Sequence, residues 1–352
     1  MTEPTQRSAQ AARDAVVTLA HGSGGKAMRS LIEEVFVRSF DNPLLATLED
    51  QARIELLTLS GLGDRLAFTT DSYVVDPLFF PGGDIGRLAV NGTVNDLAMG
   101  GARPLYLSCG FIIEEGLAFS VLRRVVQSMR CAADAAGVVV VTGDTKVVNR
   151  GSVDKLFINT AGIGVIPAGV QIAAECVCPG DVVILSGPIG EHGVAILNAR
   201  GELALEVAIE SDCQPLHGLV EVMLGACANL HALRDATRGG VATILNEFAQ
   251  SAAVGIRIAE LALPIREEVR GVCELLGLDP LYLANEGRLV AAVPKAESAA
   301  VLAAMRAHPA GRGAVIIGEV TAESRGLVVL ANAFGGERIV DRLAGEQLPR
   351  IC

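Results

Sequence analysis

The segment SVLRRVVQSMRCAADAAGVVVVTGDTKVV, residues 120–148, decides the fold because it joins a complete amphipathic helix to a buried strand. Apolar residues recur three or four positions apart from Leu122 to Ala136, which is the spacing of a helix with one buried face. Ser120 is suited to the N-cap of this helix and Gly137 to its end. The run of four valines that follows is typical of a buried strand. A helix leading into such a strand predicts layered α/β architecture.

The same alternation of strands and helices extends along most of the chain. In the first half we predict strands at 65–75, 105–114, 138–148 and 154–166, and helices at 84–101 and 120–137. In the second half we predict helices around 191–199, 215–225, 239–250, 266–276 and 295–307, and strands around 181–187, 255–259, 288–293, 314–319 and 326–330. The pattern restarts near residue 170, so we expect an N-terminal extension (1–17), two domains (18–170 and 171–334) and a flexible tail (335–352).

Composition excludes several classes of protein. The 352 residues are 51% hydrophobic with 39 glycines and no tryptophan, which suits α/β layers. A formal net charge of -11 without a lysine or arginine cluster lacks the basic surface that nucleic acid requires. No apolar run approaches the length of a membrane span, and the polar start has no apolar signal core. We therefore expect a cytoplasmic protein with neither nucleic acid nor membrane as a partner.

Eight cysteines are scattered along the chain, and reduced thiols are expected in a cytosolic protein of this length. Cys176 and Cys178 form a C-x-C pair, but no paired histidine spacing completes a metal site, so we interpret them as structural thiols. Cys352 is the last residue and has no apolar sequence around it, so we expect it to be exposed. It is either an accident or a reactive group on a tail that could reach about 56–61 Å from Gly335.

A glycine-rich loop, TLAHGSGGKAM at residues 18–28, resembles a phosphate-binding loop. Its backbone N–H groups could close around an anion, and Lys26 adds positive charge. It is not a Walker A motif, because Ala20 and Ala27 replace the glycine and the hydroxyl residue that the motif requires. The loop residues we select are Gly22, Gly24, Gly25 and Lys26.

Four aspartates lie where loops carry ligands, at strand ends or near a helix end. Carboxylates that converge from such places are what Mg²⁺ uses together with waters and phosphates, although each could also be a cap or turn residue. These aspartates are Asp71, Asp96, Asp144 and Asp235. Arg238 and Gly239 open a helix, whose N-terminus attracts anions. Lys146 and Glu286 complete a charged set, or are simply surface charges.

These motifs, with the segments FTTDSYVVDPLFFPGGDIGRLAVNGTVNDLAMGG, VTGDTKVVNRG, LRDATRGGV and LYLANEG and the ending PRIC, closely resemble the HypE family of hydrogenase maturation proteins. The resemblance runs from about residue 18 to the last residue. It implies membership of the ATP-using superfamily that includes aminoimidazole ribonucleotide synthetase, selenophosphate synthetase and thiamine-monophosphate kinase. It also implies a two-domain α/β fold whose N-terminal domain binds ATP and forms a homodimer through its sheet.

The resemblance implies a role for the terminal thiol. In this family the terminal cysteine, here Cys352, receives a carbamoyl group from HypF, and ATP drives dehydration of that group to an S-cyano group. The cyanide then passes to iron held by the HypC–HypD complex, as a ligand of the [NiFe]-hydrogenase centre. Phosphorylating the carbamoyl oxygen makes it a good leaving group, and Glu286 and Lys146 match positions suited to the proton transfer.

The remaining assignments concern the ligands ATP and Mg²⁺. We assign Mg²⁺ to Asp71, Asp96, Asp144 and Asp235, and nucleotide contacts to Gly22, Gly24, Gly25, Lys26, Asp71, Asn95, Gly143, Thr145, Thr237, Arg238 and Gly239. Two alternatives remain open. One is an ATP-dependent small-molecule phosphotransferase or synthetase of the same superfamily, which would not use the tail. The other is a nucleotide-binding scaffold that docks partners through its C-terminal peptide.

Overall fold

The computed structural model describes residues 16–201, 208–343, 345, 348 and 350–352. The extension predicted for residues 1–17 therefore falls outside the described residues, apart from Val16 and Val17. Val17 is fully buried and its backbone is hydrogen-bonded to Leu117 and Gly116. Within the described ranges, no helix combines the length and the apolar character needed to cross a bilayer.

The first half of the chain forms a four-stranded sheet in the order β1, β6, β4, β5. Only β4 and β5 run parallel. The strands of this half are β1 (Arg65–Tyr73), β2 (Phe79–Phe80), β3 (Gly83–Asp84), β4 (Arg103–Glu114), β5 (Val139–Val148) and β6 (Leu156–Ile166), of which β2 and β3 form a separate hairpin. The helices are α1 (Lys26–Leu31), α2 (Arg38–Phe40), α3 (Leu56–Ser60), α4 (Ile85–Met99) and α5 (Phe119–Ala136), with a π-helical turn at Ile32–Val37 between α1 and α2.

Helix α5 has the buried apolar face and the closing glycine predicted from its sequence, but its start differs from the prediction. Leu122 and Met129 are fully buried on the predicted apolar face, and Gly137 ends the helix with φ 65°. The expected cap is wrong, because the helix begins one residue earlier than Ser120 and its N-cap is Ala118. Ser120 therefore lies inside the first turn.

Helix α4 is the central element of the fold and is buried along almost all of its length. It packs on β1, β4 and β6 on one side and on elements of the second half on the other. Its small residues permit this close packing. A side chain at Gly92, for example, would place its Cβ 2.2 Å from the hydroxyl of Tyr73. The helix predicted at 84–101 is confirmed as Ile85–Met99, and it is buried on nearly all sides rather than on one face.

The opposite face of the first sheet has no element packed on it among the described residues, and we call it the open face. Strand alternation places Leu66, Phe68 and Ile112 on it, with 59%, 73% and 42% of their surface exposed. Asn159 and Asp144 occupy the same face on the neighbouring strands. An apolar sheet face left exposed in one chain is typical of an interaction surface.

The second half of the chain forms a seven-stranded sheet in the order β13, β12, β9, β11, β7, β10, β8. Its strands are β7 (Val182–Leu185), β8 (Ala232–Asp235), β9 (Gly255–Ala259), β10 (Leu289–Val293), β11 (Val315–Thr321), β12 (Val328–Ala331) and β13 (Glu337–Ile339). Its helices are α6 (Glu191–Arg200), α7 (His217–Ala226), α8 (Gly240–Ser251), α9 (Glu267–Leu276) and α10 (Ser298–Ala307). Only β9 and β12 run parallel. Buried Phe248 of α8 packs against one face of the sheet, and Met223 of α7 and Met305 of α10 pack against the other.

The segment predicted as a flexible tail from 335 to 352 includes regular structure. Residues Glu337–Ile339 form β13, which pairs with β12 at the edge of the sheet. The strand is short and fully exposed on its outer side, so it lacks the apolar alternation by which strands are recognised. The tail proper therefore starts after β13.

Candidate active site

Four carboxylates meet between the two sheets, and we call them the carboxylate cluster. Asp71 lies on β1, Asp96 on α4, Asp235 at the end of β8 and Glu286 in the loop before β10. The hydroxyl of Thr69 donates a hydrogen bond to Asp96 over 3.0 Å. The β8–β10 pairing, in which Asp235 faces Leu289, brings the other two carboxylates to the same end of the second sheet.

Burial and mutual repulsion raise the pKa values of several carboxylates in this cluster. Burial, reinforced by the neighbouring carboxylates, raises the pKa of Asp235 from 3.8 to about 7. Burial also raises the pKa of Asp96 to about 6 and that of Glu286 well above 4.5. Within the described residues, Oε1 of Glu286 is buried without a hydrogen-bond partner. Converging carboxylates whose charged forms are disfavoured by burial and by one another are a donor set that Mg²⁺ would satisfy.

Glu286 is held in place by its backbone rather than by its carboxylate. The two carboxylate oxygens of Asp212 each accept a hydrogen bond over 3.1 Å, one from the N–H of Glu286 and one from that of Gly287. The guanidinium of Arg288 lies 3.6 Å from Asp212 and 2.5 Å from Glu191. Glu286 thus presents an uncompensated carboxylate from a fixed loop.

The end of the chain docks beside this cluster, which corrects the expectation that Cys352 is exposed. The N–H of Val74 donates to an oxygen of the terminal carboxylate of Cys352 over 3.0 Å, and the N–H of Asp76 donates to the carbonyl of Arg350 over 3.4 Å. Ile351 and Cys352 retain only 5% and 9% of their exposed surface. The C-terminal tripeptide Arg350–Cys352 therefore continues the backbone pairing along the segment that follows β1.

The docked thiol is neutral. Burial, together with the negative charge of Glu286, raises the pKa of Cys352 to about 12, and a hydrogen bond from Arg238 lowers it only in part. The guanidinium of Arg238 also lies 4.0 Å from Asp71. A cleft of about 470 Å³ opens beside the tripeptide and is lined by Arg238, Gly239 and Tyr282 among others. The thiol of Cys352 therefore lies near the guanidinium of Arg238 and the carboxyl group of Glu286, beside the cleft.

Asp144 and Lys146 lie away from the carboxylate cluster. Their strand β5 and strand β1 are opposite edges of the first sheet, separated by three strand intervals or about 14 Å. Asp71 pairs with Thr160, whose buried side chain faces α4, so Asp71 lies on the covered face of the sheet. Asp144 is in register with Gly110 and Asn159, one residue along the strands, and therefore lies on the open face. There Asp144 is exposed and forms an ion pair of 2.8 Å with Lys146. Within the described chain, the structure brings together three of the four predicted aspartates.

The glycine-rich loop lies against β5. Leu19–Gly22 forms a 3-10 turn, and Gly25 precedes α1, which begins at Lys26. Gly22 must be small, because a Cβ there would lie 2.9 Å from the backbone nitrogen of Val147. A largely apolar pocket of about 190 Å³ adjoins this region, and it is lined by the predicted residues Gly143, Asp144 and Thr145 together with Met28, Phe36, Cys109, Phe111 and Val140.

The remaining predicted nucleotide contacts differ in their availability. Gly239 adopts φ 73° and is the N-cap of α8. Arg238 and Gly239 line the cleft, and Thr237 precedes them in the chain. Asn95, in contrast, is 1% exposed, and its side chain is hydrogen-bonded to the backbone of the second half of the chain. Its amide donates to the carbonyl of Gln214 over 3.1 Å, and its oxygen accepts from the N–H of Leu216 over 2.7 Å. Asn95 is thus already engaged in joining α4 to the second half of the chain.

Sequence reasoning missed several polar groups around the site because no local pattern marks them. His192 and Asp212 are buried and contact the tail and the Glu286 loop respectively.

A second polar group, away from this site, consists of Cys178, Asp181 and His231, whose possible ligand atoms lie within 4.8 Å of one another. His231 comes from a distant part of the chain, so the C-x-C pair could not reveal it. Asp181 there accepts hydrogen bonds from the N–H of Cys178 and from His231, as in a capped turn.

Comparison with known proteins gives concordant matches. The families described as AIR synthase related protein, N-terminal domain and C-terminal domain, match residues 49–166 and 178–330. The carbamoyl dehydratase HypE of Rhodobacter capsulatus is 60% identical over 342 residues, which is 97% of this chain and 100% of that protein. The protein of the same name from Escherichia coli K12 is 55% identical over 336 residues, with 96% and 99% covered.

Solved structures match over nearly the whole chain. The structure of the hydrogenase maturation protein HypE in complex with ATP has a TM-score of 0.90 and 50% identity, covering 95% of this chain and 99% of that one. A HypE–HypF complex has a TM-score of 0.77 and 48% identity, covering 89% of this chain and 100% of that one. The architecture deduced from the sequence is thus that of known proteins.

Proposed function

The chain belongs to the HypE family of carbamoyl dehydratases, and on that premise we propose that Cys352 carries the carbamoyl group which the protein converts to an S-cyano group. The protein is an ATP-dependent carbamoyl dehydratase of hydrogenase maturation. The observation that carries the assignment to Cys352 is its position, buried beside Glu286 and Arg238 at the end of the chain. A small-molecule phosphotransferase, the alternative, would have no use for this docked thiol.

The docked tripeptide cannot be the form that receives the carbamoyl group. A thiolate is the nucleophile in such transfers, and the docked thiol, with a pKa of about 12, is neutral and buried. The tail must therefore leave the site to meet HypF, which is the partner in a solved complex of a relative. Dehydration follows after the carbamoylated tail has returned. We propose the HypC–HypD complex as the later acceptor of the cyanide.

In the returned tail, the residues of this chain position the group and take up its proton. ATP supplies the phosphoryl group that turns the carbamoyl oxygen into a leaving group. Arg238, which reaches the sulfur of Cys352 and approaches Asp71, is placed to hold the negative charge of the activated oxygen. Glu286 is placed to accept the proton from nitrogen, because its carboxylate is buried beside the tail with one oxygen unpaired.

We propose that Asp71, Asp96 and Asp235 hold Mg²⁺. The fit rests on the convergence of these three carboxylates, on the raised pKa values of Asp96 and Asp235, which reflect burial and the neighbouring negative charges, and on the hard oxygen donors that Mg²⁺ prefers. Bound there, Mg²⁺ would neutralise phosphate charge. The bound Mg²⁺ would also keep Asp71, Asp96 and Asp235 ionised, because a cation favours the charged form of a carboxylate. Glu286 would then be the member of the cluster able to exchange a proton.

A homodimer through the open face accounts for the residues left outside the cluster. Leu66, Phe68 and Ile112 supply an apolar surface that a second copy would cover. Asp144 and Lys146 lie on that same face, so they could act only on groups that the partner copy brings to them. We propose a cytoplasmic homodimer in which the predicted Lys146 role is exercised across the interface.

The proposal is tested with Cys352→Ala. Carbamoyl transfer from HypF, followed with labelled carbamoyl phosphate, should be abolished while ATP binding and folding persist, because the residue lies at the very end of the chain. Cys131→Ala is the matched control, since Cys131 is an exposed thiol on α5. Continued labelling of the Cys352→Ala protein by HypF would contradict the assignment.

A further inference from the structure

His192 lies beneath the C-terminal tripeptide with both ring nitrogens engaged. It is the second residue of α6 and is fully buried. Its Nε2 lies 2.7 Å from the carbonyl oxygen of Ile351, and its Nδ1 lies 2.7 Å from the hydroxyl of Ser211. A carbonyl can only accept, so Nε2 must carry the hydrogen, and the Ser211 hydroxyl then donates to Nδ1. The contacts thus define one tautomer and one ring orientation.

Ser211 is itself fixed, so the ring cannot turn away from the tail at no cost. The N–H of Ser211 donates to the carbonyl of Pro81 over 2.8 Å, and its hydroxyl accepts from the N–H of Cys213 over 3.1 Å. Phe80 packs edge-on against the imidazole, with ring centroids 5.5 Å apart. Burial lowers the pKa of His192 to about 4, so the ring is neutral at physiological pH.

The other contacts to the tail come from the backbone or from side chains that are partly exposed, such as the bond of 2.9 Å from Arg200 to the carbonyl of Arg350. Arg350 forms an ion pair of 2.8 Å with Asp154, but both side chains are about two-fifths exposed, where such pairs contribute little. The N–H of Val74 donates to an oxygen of the terminal carboxylate of Cys352, and this backbone contact does not depend on which side chain the residue carries. Only the bond from His192 to Ile351 joins a fully buried side chain to the peptide that carries the reactive residue, among the tail contacts of the described residues.

We propose that His192, oriented by Ser211, is the positioning residue that latches the C-terminal tripeptide into the site. It sets the fraction of molecules in which Cys352 is presented to Glu286 rather than to an external partner. The catalytic consequence of this latch rests on the function proposed above, whereas the docking equilibrium does not.

The test uses the full chain with His192→Phe, which keeps an aromatic ring against Phe80 but removes both hydrogen bonds. The probe is iodoacetamide, and its incorporation is followed by peptide mass spectrometry at Cys352 and at exposed Cys131. Leaving a buried carbonyl unsatisfied shifts a docking equilibrium by about 5- to 150-fold. Alkylation of Cys352 should accelerate by that factor with no change at Cys131. His192→Gln, whose amide can still donate, should recover part of the protection.

A second readout separates the latch from the proposed chemistry. After carbamoylation by HypF, dehydration by His192→Phe with ATP should slow in proportion to the docked fraction that is lost, which the alkylation rate reports relative to that of an undocked tail peptide, while transfer from HypF should not slow. Unchanged alkylation of Cys352 would overturn the latch whatever the activity. Undiminished dehydration in a variant whose alkylation rate shows that most tails are undocked would uphold the latch and contradict the docked tail as the reactive form.

A variant with a smaller change keeps the proposal testable if His192→Phe fails to fold. Ser211→Ala leaves the bond to Ile351 in place but frees the orientation of the ring. Alkylation of Cys352 should then accelerate by about 2- to 10-fold. Wild-type protection in a folded Ser211→Ala protein, together with unfolding of His192→Phe, would overturn the proposal and assign both residues a purely structural role.

Discussion

Replacing Asp235 by asparagine tests whether the carboxylates of the cluster are forced together without a counter-charge. The change preserves size and removes one negative charge. Asp235 has a pKa of about 7 in the folded chain against 3.8 for the ordinary group. The folded protein therefore binds a proton that the unfolded chain does not bind between these pH values, and stability falls as pH rises from about 4 to about 7.

The size of the effect follows from that shift. About 3 pKa units at 1.36 kcal/mol each give a cost of roughly 3–4 kcal/mol that is complete above pH 7 and absent below pH 4. Asp235→Asn should escape this cost. In chelator at pH 8 its thermal midpoint should exceed that of the wild type by roughly 4–6 °C for a chain of this length, and the gap should close by pH 4. Adding Mg²⁺ should stabilise the wild type more than the variant.

The assay is thermal unfolding across pH, with EDTA or with Mg²⁺. Asp144→Asn is the matched control, because Lys146 lowers the pKa of Asp144, and removing that exposed pair should slightly reduce stability at neutral pH. If Asp235→Asn is no more stable than the wild type at pH 8 in EDTA, then burial and the neighbouring carboxylates do not disfavour the charged form of Asp235, and the cation site is misplaced.

Two further changes probe catalysis and assembly. Glu286→Gln should still accept carbamoyl on Cys352 and bind ATP. Its dehydration rate, measured from the mass of the tail peptide, should fall by about 100- to 10,000-fold because the amide cannot take the proton. Near-normal conversion would show that Glu286 does not take part in the chemistry. Phe68→Asp should convert the proposed dimer to monomers by light scattering, whereas Leu261→Asp, at an 83% exposed position in the second half of the chain, should not; an unchanged mass for Phe68→Asp would contradict dimerisation through the open face.

The sequence predicts those parts of the fold that depend on local periodicity. Helix α5 and strand β5 are visible because Leu122, Met129 and the valine run occupy the buried positions that local patterns require. The family resemblance extends this to the two-domain architecture. Strand β13 was not predicted, because its three residues are all exposed and show no alternation of apolar and polar side chains.

What the sequence could not predict depends on strand order and on contacts between distant segments. Asp71 and Asp144 look equivalent as loop-flanking aspartates, yet they occupy opposite edges and opposite faces of one sheet. Cys352 looks exposed because its cover comes from Val74 and its neighbours, far away along the chain. His192 carries no motif, and its role becomes visible only when the tail is docked on it.

The mass of the C-terminal peptide over time tests the central claim most directly. Wild-type protein is first incubated with HypF and its carbamoyl donor, and Mg-ATP is then added. The account predicts that Cys352 first gains a carbamoyl group and that the same peptide becomes lighter by one water only after Mg-ATP is present. A carbamoyl group on any other residue, or loss of water without ATP, would contradict it.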